Sequence, residues 1–197
     1  MRLLLLAPPG AGKGTQGERL AARFGVRHIA AGDQLRAEAR SGTPLGRQIA
    51  GFQERGDLVP DQIVVDMLIS VVVDAAAHGG YILDGFPRTL TQALAAAELG
   101  ARFDVTLDAT VYLHAPETVL TQRLLARAAQ EGRAYDTADV IRHRFQVFAA
   151  ATGPLLAYYR DERGILVEVD ADQPPDSVTA EIESALLHGE TPRIRSG

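Results

Sequence analysis

Lys13 lies in a glycine-rich segment whose residue types suit the binding of a phosphate group: Ala7-Pro8-Pro9-Gly10-Ala11-Gly12-Lys13-Gly14-Thr15. The backbone N–H groups of such a loop can turn inward around phosphate oxygens, and a helix that follows adds positive potential. The loop has room for a compact ammonium but accommodates a planar guanidinium badly. Lys13 is the one lysine among 20 basic residues, and its position directly after Gly-Ala-Gly favours a role in phosphate binding over chance.

The segment matches the P-loop pattern G-x-x-x-x-G-K-[ST] with two differences. Gly14 separates Lys13 from Thr15, and Ala7 replaces the first glycine. The methyl group of Ala7 is harmless if φ is negative there and crowds the loop if φ is positive. A glycine loop can also be a turn that binds nothing, but a predicted strand before it and a predicted helix after it favour a P-loop. Lys13 would then bridge the outer phosphates, and the Thr15 hydroxyl would lie near a phosphate or Mg²⁺.

A second candidate anion site follows another predicted strand, in Asp84-Gly85-Phe86-Pro87-Arg88. Asp84 could orient metal-bound water there, and Arg88 could bind a phosphate bidentately. Taken alone, the segment is equally compatible with a turn that carries a surface arginine. Transfer of a phosphoryl group requires several cations around the migrating charge. Further arginines are candidates for that set: Arg36, Arg123, Arg127, Arg133 and Arg144.

The composition argues against several other classes of function. A net charge of −5 gives no basic surface for nucleic acid, so phosphate binding must come from a local arrangement of charge. The chain has no cysteine, which removes disulfides and Cys-ligated zinc and is compatible with the cytoplasm. The apolar run Leu3–Leu6 is too short for a signal peptide. A second run, Ile63–Val73, is interrupted by Asp66 and Ser70, so it indicates a core helix rather than a membrane span.

Predicted strands and helices alternate along the chain, which is typical of an α/β domain with a parallel sheet. The predicted strands are Arg2–Ala7, Val26–Ala30, Tyr81–Asp84, Ala109–His114 and Ile165–Val169. The predicted helices are Gly12–Phe24, Asp33–Arg40, Pro44–Arg55, Asp61–Ala77, Thr89–Leu99, Pro116–Ala129, Ala138–Arg160 and Ser177–Leu187. We expect a bend near Gly153-Pro154 and an N-cap at Thr89. Ligands bind at the carboxyl ends of such strands, so the loops after the first, third and fourth strands should form the site.

Five motifs in the same order give the chain a resemblance to the nucleoside monophosphate kinases, and among these most closely to the adenylate kinases. The motifs are Pro8–Gln16, Gly32-Asp33 with Arg36, Gly56–Pro60, Asp84–Thr89 with Gln92, and Pro154–Tyr159. The resemblance extends from Arg2 to about the last predicted helix. Gly14 before Thr15 is normal in this family, which removes the first difference from the general pattern.

The resemblance implies a P-loop NTPase-type three-layer fold, with a five-stranded parallel sheet and two small mobile inserts. The core would comprise 1–29, 60–123 and 137–197. The nucleoside-monophosphate insert would be 30–59, and 124–136 would be a short lid without zinc. The implied activity is the reversible reaction of ATP and AMP to two ADP with Mg²⁺. The protein would be a cytoplasmic monomer that binds neither nucleic acid nor membrane.

The resemblance also implies a role for each matching residue. The residues implied to bind ATP are Gly10, Ala11, Gly12, Lys13, Gly14, Thr15, Arg123 and Arg127. Those implied to bind AMP are Ala31, Arg36, Leu58, Val59, Gly85, Arg88 and Gln92. The implied catalytic set is Lys13, Arg88, Arg123, Arg133 and Arg144. Mg²⁺ would be held by Thr15 and, through water, by Asp84.

Three departures from the family pattern leave alternatives open. Ala7 replaces the first loop glycine, Ala31 replaces the threonine usual in adenylate kinases, and Tyr135 replaces the first of two lid aspartates. Alanine at position 31 also occurs in the uridylate–cytidylate kinases, so a UMP or CMP kinase is one alternative. Gln92 favours AMP, because its amide can pair with adenine through both groups. The other alternative is a nucleotide-binding module with little catalysis.

Lys13→Arg tests the steric argument for the loop. The substitution keeps the positive charge but replaces a thin stem and compact ammonium by a planar guanidinium. We therefore expect turnover to fall by much more than a few-fold in a coupled assay of ADP formation. Turnover within a few-fold of the wild type would contradict the argument.

Overall fold

The computed structural model describes residues 1–131 and 137–188, in which strands and helices alternate. The strands are β1, Arg2–Leu6; β2, Arg27–Ala30; β3, Tyr81–Asp84; β4, Ala109–His114; and β5, Leu166–Asp170. The helices are α1, Lys13–Phe24; α2, Ala31–Arg40; α3, Pro44–Arg55; α4, Asp61–Ala77; α5, Leu90–Arg102; α6, Glu117–Glu131; α7, Ala138–Ala157; and α8, Pro175–His188. A π-helical turn, Tyr158–Glu162, follows α7 directly.

The five strands form one parallel sheet in the order β2-β3-β1-β4-β5. β1 is the central strand, and its Leu5 lies opposite Asp84 of β3 on one side and Val111 of β4 on the other. Because all the strands run in one direction, their carboxyl ends and the loops that follow them gather at one edge. The predicted five-stranded parallel sheet is confirmed.

The leucines of β1 alternate between the two faces of the sheet, and both faces are buried. Leu3 and Leu5 belong to one hydrophobic cluster, whereas Leu4 and Leu6 belong to another. Leu3, Leu4 and Leu5 are 0% exposed. A continuous apolar strand is expected where helices cover both faces of a parallel sheet. The run of leucines is therefore the sequence signature of the middle layer in a three-layer α/β fold.

Threonine and glycine residues set several helix ends. The hydroxyls of Thr43, Thr89 and Thr137 each accept a hydrogen bond from the backbone N–H three residues later, as N-caps do. The N-cap predicted at Thr89 is confirmed. Gly25 and Gly56 end α1 and α3 with φ of 65° and 77°, a conformation that favours glycine.

The region after α7 differs most from the prediction. The helix predicted over Ala138–Arg160 ends at Ala157, and the chain continues as the π-helical turn. In that turn the N–H of Arg163 donates to the carbonyl of Tyr158, five residues earlier. Hydrophobic periodicity does not reveal this change of hydrogen-bond spacing. The other predicted ends lie within three residues of the observed ones.

The helices α2 and α3 pack on each other within the predicted insert 30–59. Leu35 of α2 and Ile49 of α3 are both buried in the hydrophobic cluster on one face of the sheet. The bounds of this insert and of the lid 124–136 stay predictions. Residues 132–136, and with them Arg133, lie outside the described residues. Within 1–131 and 137–188, no helix has the length and apolar character needed to span a membrane.

Gly80→Ala tests how tightly the start of β3 lies against the N-terminus. Gly80 has φ of 122°, and a Cβ there would overlap the carbonyl oxygen of Met1. We expect the substitution to lower the free energy of unfolding by at least about 1–3 kcal/mol. Gly153→Ala is the matched control, because a Cβ there meets nothing within 4 Å. Alanine in that helix should raise stability by about 0.5–1 kcal/mol. Equal effects of the two variants in urea denaturation would contradict the packing argument.

Candidate active site

The loop between β1 and α1 has the backbone conformation of a phosphate-binding loop. Gly10 and Gly12 have φ of 87° and 86°, which requires glycine. A Cβ on Gly10 would also lie 2.8 Å from the carbonyl oxygen of Leu120, so this glycine is packed against α6. Ala7 does not have positive φ, because Asp104 is the one non-glycine residue with positive φ in the described parts of the chain. The methyl group of Ala7 is therefore compatible with the loop.

Lys13, the first residue of α1, forms an ion pair with Asp84 at the end of β3. Nζ of Lys13 lies 2.9 Å from Oδ1 of Asp84, and Asp84 is 8% exposed. Burial alone would raise the pKa of Asp84, but the charge of Lys13 and the neighbouring His28 lower this pKa to about 2. The carboxylate is therefore ionised at neutral pH and can interact with a cation or with water bound to one.

His28 of β2 is a residue beside the site that sequence reasoning missed. Its Nε2 lies 3.8 Å from Oδ2 of Asp84 and makes no hydrogen bond within the described parts of the chain. A Cβ on Gly17 of α1 would overlap the imidazole ring, so glycine there allows the ring to lie beside Asp84. No sequence spacing links these three residues; the pairing of β2 with β3 and the packing of α1 bring them together.

A cleft of about 460 Å³ opens at the carboxyl edge of the sheet, beside the loop. Six basic side chains line it against three acidic ones. The cleft is therefore locally positive although the whole chain carries a net charge of −5. The charged lining residues are Lys13, Arg36, Arg88, Arg123, Arg127 and Arg144, together with Glu18, Asp33 and Asp84.

A smaller pocket of about 120 Å³ adjoins the cleft on the side of the insert. It is lined by most of the residues predicted to contact a nucleoside monophosphate: Arg36, Leu58, Val59, Gly85, Arg88 and Gln92. Ala31 is 1% exposed and does not line the pocket, although its Cβ lies 3.7 Å from the Cβ position of Gly85. The two cavities share Gly32, Arg36, Gly85, Arg88 and Arg144.

Arg88 lies where the two cavities meet. Its Nε donates a hydrogen bond of 2.7 Å to the carbonyl of Gly85, which directs the guanidinium along the loop after β3. Loss of surrounding water lowers the pKa of Arg88; Arg144 and Arg36 lower it further, and Asp84 raises it. Arginine remains charged at neutral pH in proteins. Several cations thus face each other at this point, which is the arrangement that an anion stabilises.

Gln92 is held by protein contacts at the rear of the smaller pocket. Its Oε1 accepts a hydrogen bond of 2.6 Å from the N–H of Arg88, and its Nε2 donates one of 2.5 Å to Asp61. An amide oxygen has two lone pairs and an amide nitrogen two hydrogens, so each atom can make one more hydrogen bond. Pairing with a base stays a prediction. Asp61, which orients the amide, was not found from the sequence.

Three further predicted arginines lie on α6 and α7: Arg123, Arg127 and Arg144. Nη1 of Arg123 donates a hydrogen bond of 2.9 Å to the carbonyl of Ala171, and Nη2 lies 3.9 Å from Asp172. The loop after β5 thus positions Arg123, a contact that sequence reasoning missed. Arg127 lines the cleft one helical turn further on, and Arg144 lines both cavities. Their predicted catalytic and ATP-binding roles stay predictions.

The residues predicted to hold Mg²⁺ fit that ion in type. Thr15 offers a hydroxyl at the head of α1 and Asp84 an ionised carboxylate, and both line the cleft. Mg²⁺ prefers such oxygen ligands and keeps several waters, so one or two protein groups suffice. In residues 1–131 and 137–188 no group of three or more His, Asp or Glu could hold a metal by protein ligands alone.

The fold and the site together define the class of the protein. A glycine loop joins the central strand of a parallel sheet to a helix, carries Lys13 at the helix start and opens on a cleft lined by cations. This is the arrangement of a P-loop protein that binds phosphorylated nucleotides. Comparison with protein families gives the particular group: the family model described as Adenylate kinase matches residues 5–164.

Relatives from three organisms are similar to nearly the whole chain. The adenylate kinase of Xylella fastidiosa strain M12 is 45% identical over 186 residues, which are 94% of this chain and 99% of that protein. The adenylate kinase of Methylobacterium radiotolerans is 44% identical over 192 residues, or 94% and 96% of the two chains. That of a Cyanothece species is 43% identical over 191 residues, or 96% and 97%.

The chain belongs to the adenylate kinase family. The resemblance stated from the five motifs is therefore confirmed, as are the P-loop NTPase-type fold and the assignment to the nucleoside monophosphate kinases, which are phosphotransferases.

Asp84→Asn tests the ion pair through the pH dependence of stability. A carboxyl group whose folded-state pKa is lowered from 3.8 to about 2 contributes stability above pH 4, and this contribution is lost as pH falls toward 2. At pH 6 the variant should be less stable than the wild type by about 2 kcal/mol. At pH 3 the difference should shrink to about half of that. If urea denaturation gives the same stability difference between variant and wild type at both pH values, the lowered pKa of Asp84 is contradicted.

Proposed function

We propose that the chain transfers the γ-phosphoryl group of ATP to AMP, giving two ADP, at the junction of the two cavities. The observation that carries this proposal is that Arg36, Arg88 and Arg144 line both the cleft beside the P-loop and the smaller pocket beside the insert. A triphosphate in the cleft and a monophosphate in the pocket would meet at these arginines. Transfer between two bound nucleotides needs such a shared cationic junction.

The reaction requires that the two nucleotides are positioned for transfer and that the negative charge of their phosphates is neutralised. An oxygen of the AMP phosphate attacks the γ-phosphorus, a new P–O bond forms, and the bond to the β,γ-bridging oxygen breaks, so that ADP leaves with the electron pair. The attacking phosphate is already an anion, and no general base is required. Lys13 and the loop would hold the ATP phosphates, and Arg36 and Arg88 the AMP phosphate. Arg123, Arg133 and Arg144 would stabilise the charge on the transferring group.

Mg²⁺ is the cofactor that we propose, bound together with ATP. When bound, it neutralises phosphate charge and orients the outer phosphates. Thr15 would bind the ion directly, and Asp84 would bind it through water. The ionised state of Asp84, with its pKa near 2, supports this role.

We propose that the segments 30–59 and 124–136 close over the bound nucleotides. Closure would exclude water, which otherwise competes with AMP for the γ-phosphoryl group. We also propose a monomer in the cytoplasm, as the resemblance to the short-lid form of the family implies. The absence of cysteine from the whole chain is compatible with that reducing compartment.

A panel of nucleoside monophosphates tests the proposal. We expect formation of diphosphate from ATP with AMP, and much slower formation with UMP or CMP, because the Gln92 amide suits adenine. Turnover with UMP or CMP but not with AMP would replace the proposal by a pyrimidine kinase. If a two-headed dinucleoside polyphosphate binds tightly in calorimetry but no monophosphate turns over, the chain is a nucleotide-binding module.

Two variants check that turnover comes from this site. Arg88→Gln removes a guanidinium from the junction and should lower kcat by about 10²–10³-fold. Arg142→Gln is the control, because Arg142 pairs with Asp139 on the exposed side of α7 and lines neither cavity. Equal activity of both variants would show that the measured turnover does not depend on Arg88.

A further inference from the structure

Asp57 contacts α7 through one carboxylate oxygen and the end of α3 through the other. Oδ1 lies 3.1 Å from Nε2 of His143, and Oδ2 accepts a hydrogen bond of 2.8 Å from Nε of Arg55. The contacts with Arg55 and His143 lower the pKa of Asp57. The carboxylate is therefore ionised at neutral pH and bridges the insert and α7.

The residue before Asp57 packs directly on α7. Gly56 has φ of 77°, and a Cβ there would lie 3.2 Å from Cγ of Arg144 and 3.6 Å from Cγ1 of Val140. The bare backbone of glycine thus lies against the stem of Arg144. Val140, His143 and Arg144 are three and four residues apart, so they occupy one face of the helix. That face meets the insert.

The same two segments form facing parts of the smaller pocket. The chain from Gly56 to Val59 contributes all four of its residues to the lining, and α7 contributes Val140 and Arg144. The pocket has these walls only while the insert and α7 lie together. The contact between Asp57 and His143 joins them at the rim.

We propose that His143 is a positioning residue for the nucleoside monophosphate: through Asp57 it holds segment 56–59 against α7, so that both walls of the pocket lie together around the bound nucleotide. The inference rests on the proposed function and assigns His143 no contact with the reacting atoms. Neither Asp57 nor His143 lines the cleft beside the P-loop. The effect should therefore be confined to AMP and leave ATP binding unchanged.

The expected size of the effect on AMP binding follows from the solvent exposure of the Asp57 and His143 side chains. The side chains of Asp57 and His143 are 38% and 44% exposed, so solvent screens the pair. Exposed ion pairs typically change an equilibrium constant by about two- to five-fold. Because the pair favours the arrangement in which both pocket walls lie together, its loss should weaken AMP binding by a factor of this size.

His143→Leu removes the donor while keeping a side chain of moderate size. We expect KM for AMP to rise by about two- to five-fold, with KM for ATP and kcat unchanged. His143→Gln should keep most of the wild-type KM for AMP, because its amide nitrogen can replace Nε2 as the donor to Asp57. In a double-mutant cycle with Asp57→Ala, the double variant should have nearly the same KM for AMP as either single variant.

His78→Leu is the matched control. His78 pairs with Asp74 across one turn at the end of α4, with Nδ1 3.3 Å from Oδ1, and lines neither cavity. It should leave both KM values unchanged. An unchanged KM for AMP in His143→Leu, an equal rise in KM for ATP, or additive effects in the cycle would overturn the inference. A wild-type chain that does not phosphorylate AMP would instead refute the proposed function, and the inference with it.

Discussion

The register between β1 and β3 is the constraint on which the site depends. It sets Leu5 beside Asp84, so that the loop leaving β1 starts next to the carboxylate that ends β3. The helix after the loop then brings Nζ of Lys13 to 2.9 Å from that carboxylate. Sliding β1 by one residue would exchange its buried faces and move the loop away from Asp84. Packing on both faces of the central strand therefore fixes the geometry of the phosphate site as well as the core.

The cleft concentrates positive charge in a chain that is acidic overall. Arg144 and Arg36 lower the pKa of Arg88, which means that these cations repel one another in the free protein. Asp84 offsets part of this repulsion, and the phosphates of bound nucleotides would offset more. Like charges held close together disfavour the folded protein, so the core that positions them must supply the compensating stability. The excess of basic over acidic side chains in the cleft therefore favours an anionic ligand.

The helix α7 has a central place in the architecture because it contributes to both cavities. Arg144 lines the cleft and the smaller pocket, and Val140 on the same face lines the pocket. Gly56 and Asp57 of the insert lie against this face. A shift of the insert relative to α7 would therefore change the walls of the smaller pocket.

The sequence by itself determined the parts of the protein that depend on neighbours along the chain. The apolar run of β1, the glycines around Lys13 and the N-cap at Thr89 act through local conformation, so pattern and spacing predicted the strand, the loop and the helix start. Only the tertiary structure decided which distant residues complete the site. His143 lies 86 residues from Asp57, and Ala171 lies 48 residues from Arg123. Such contacts come from strand order and helix packing, in which the energy is shared among many buried side chains, and no local pattern encodes them.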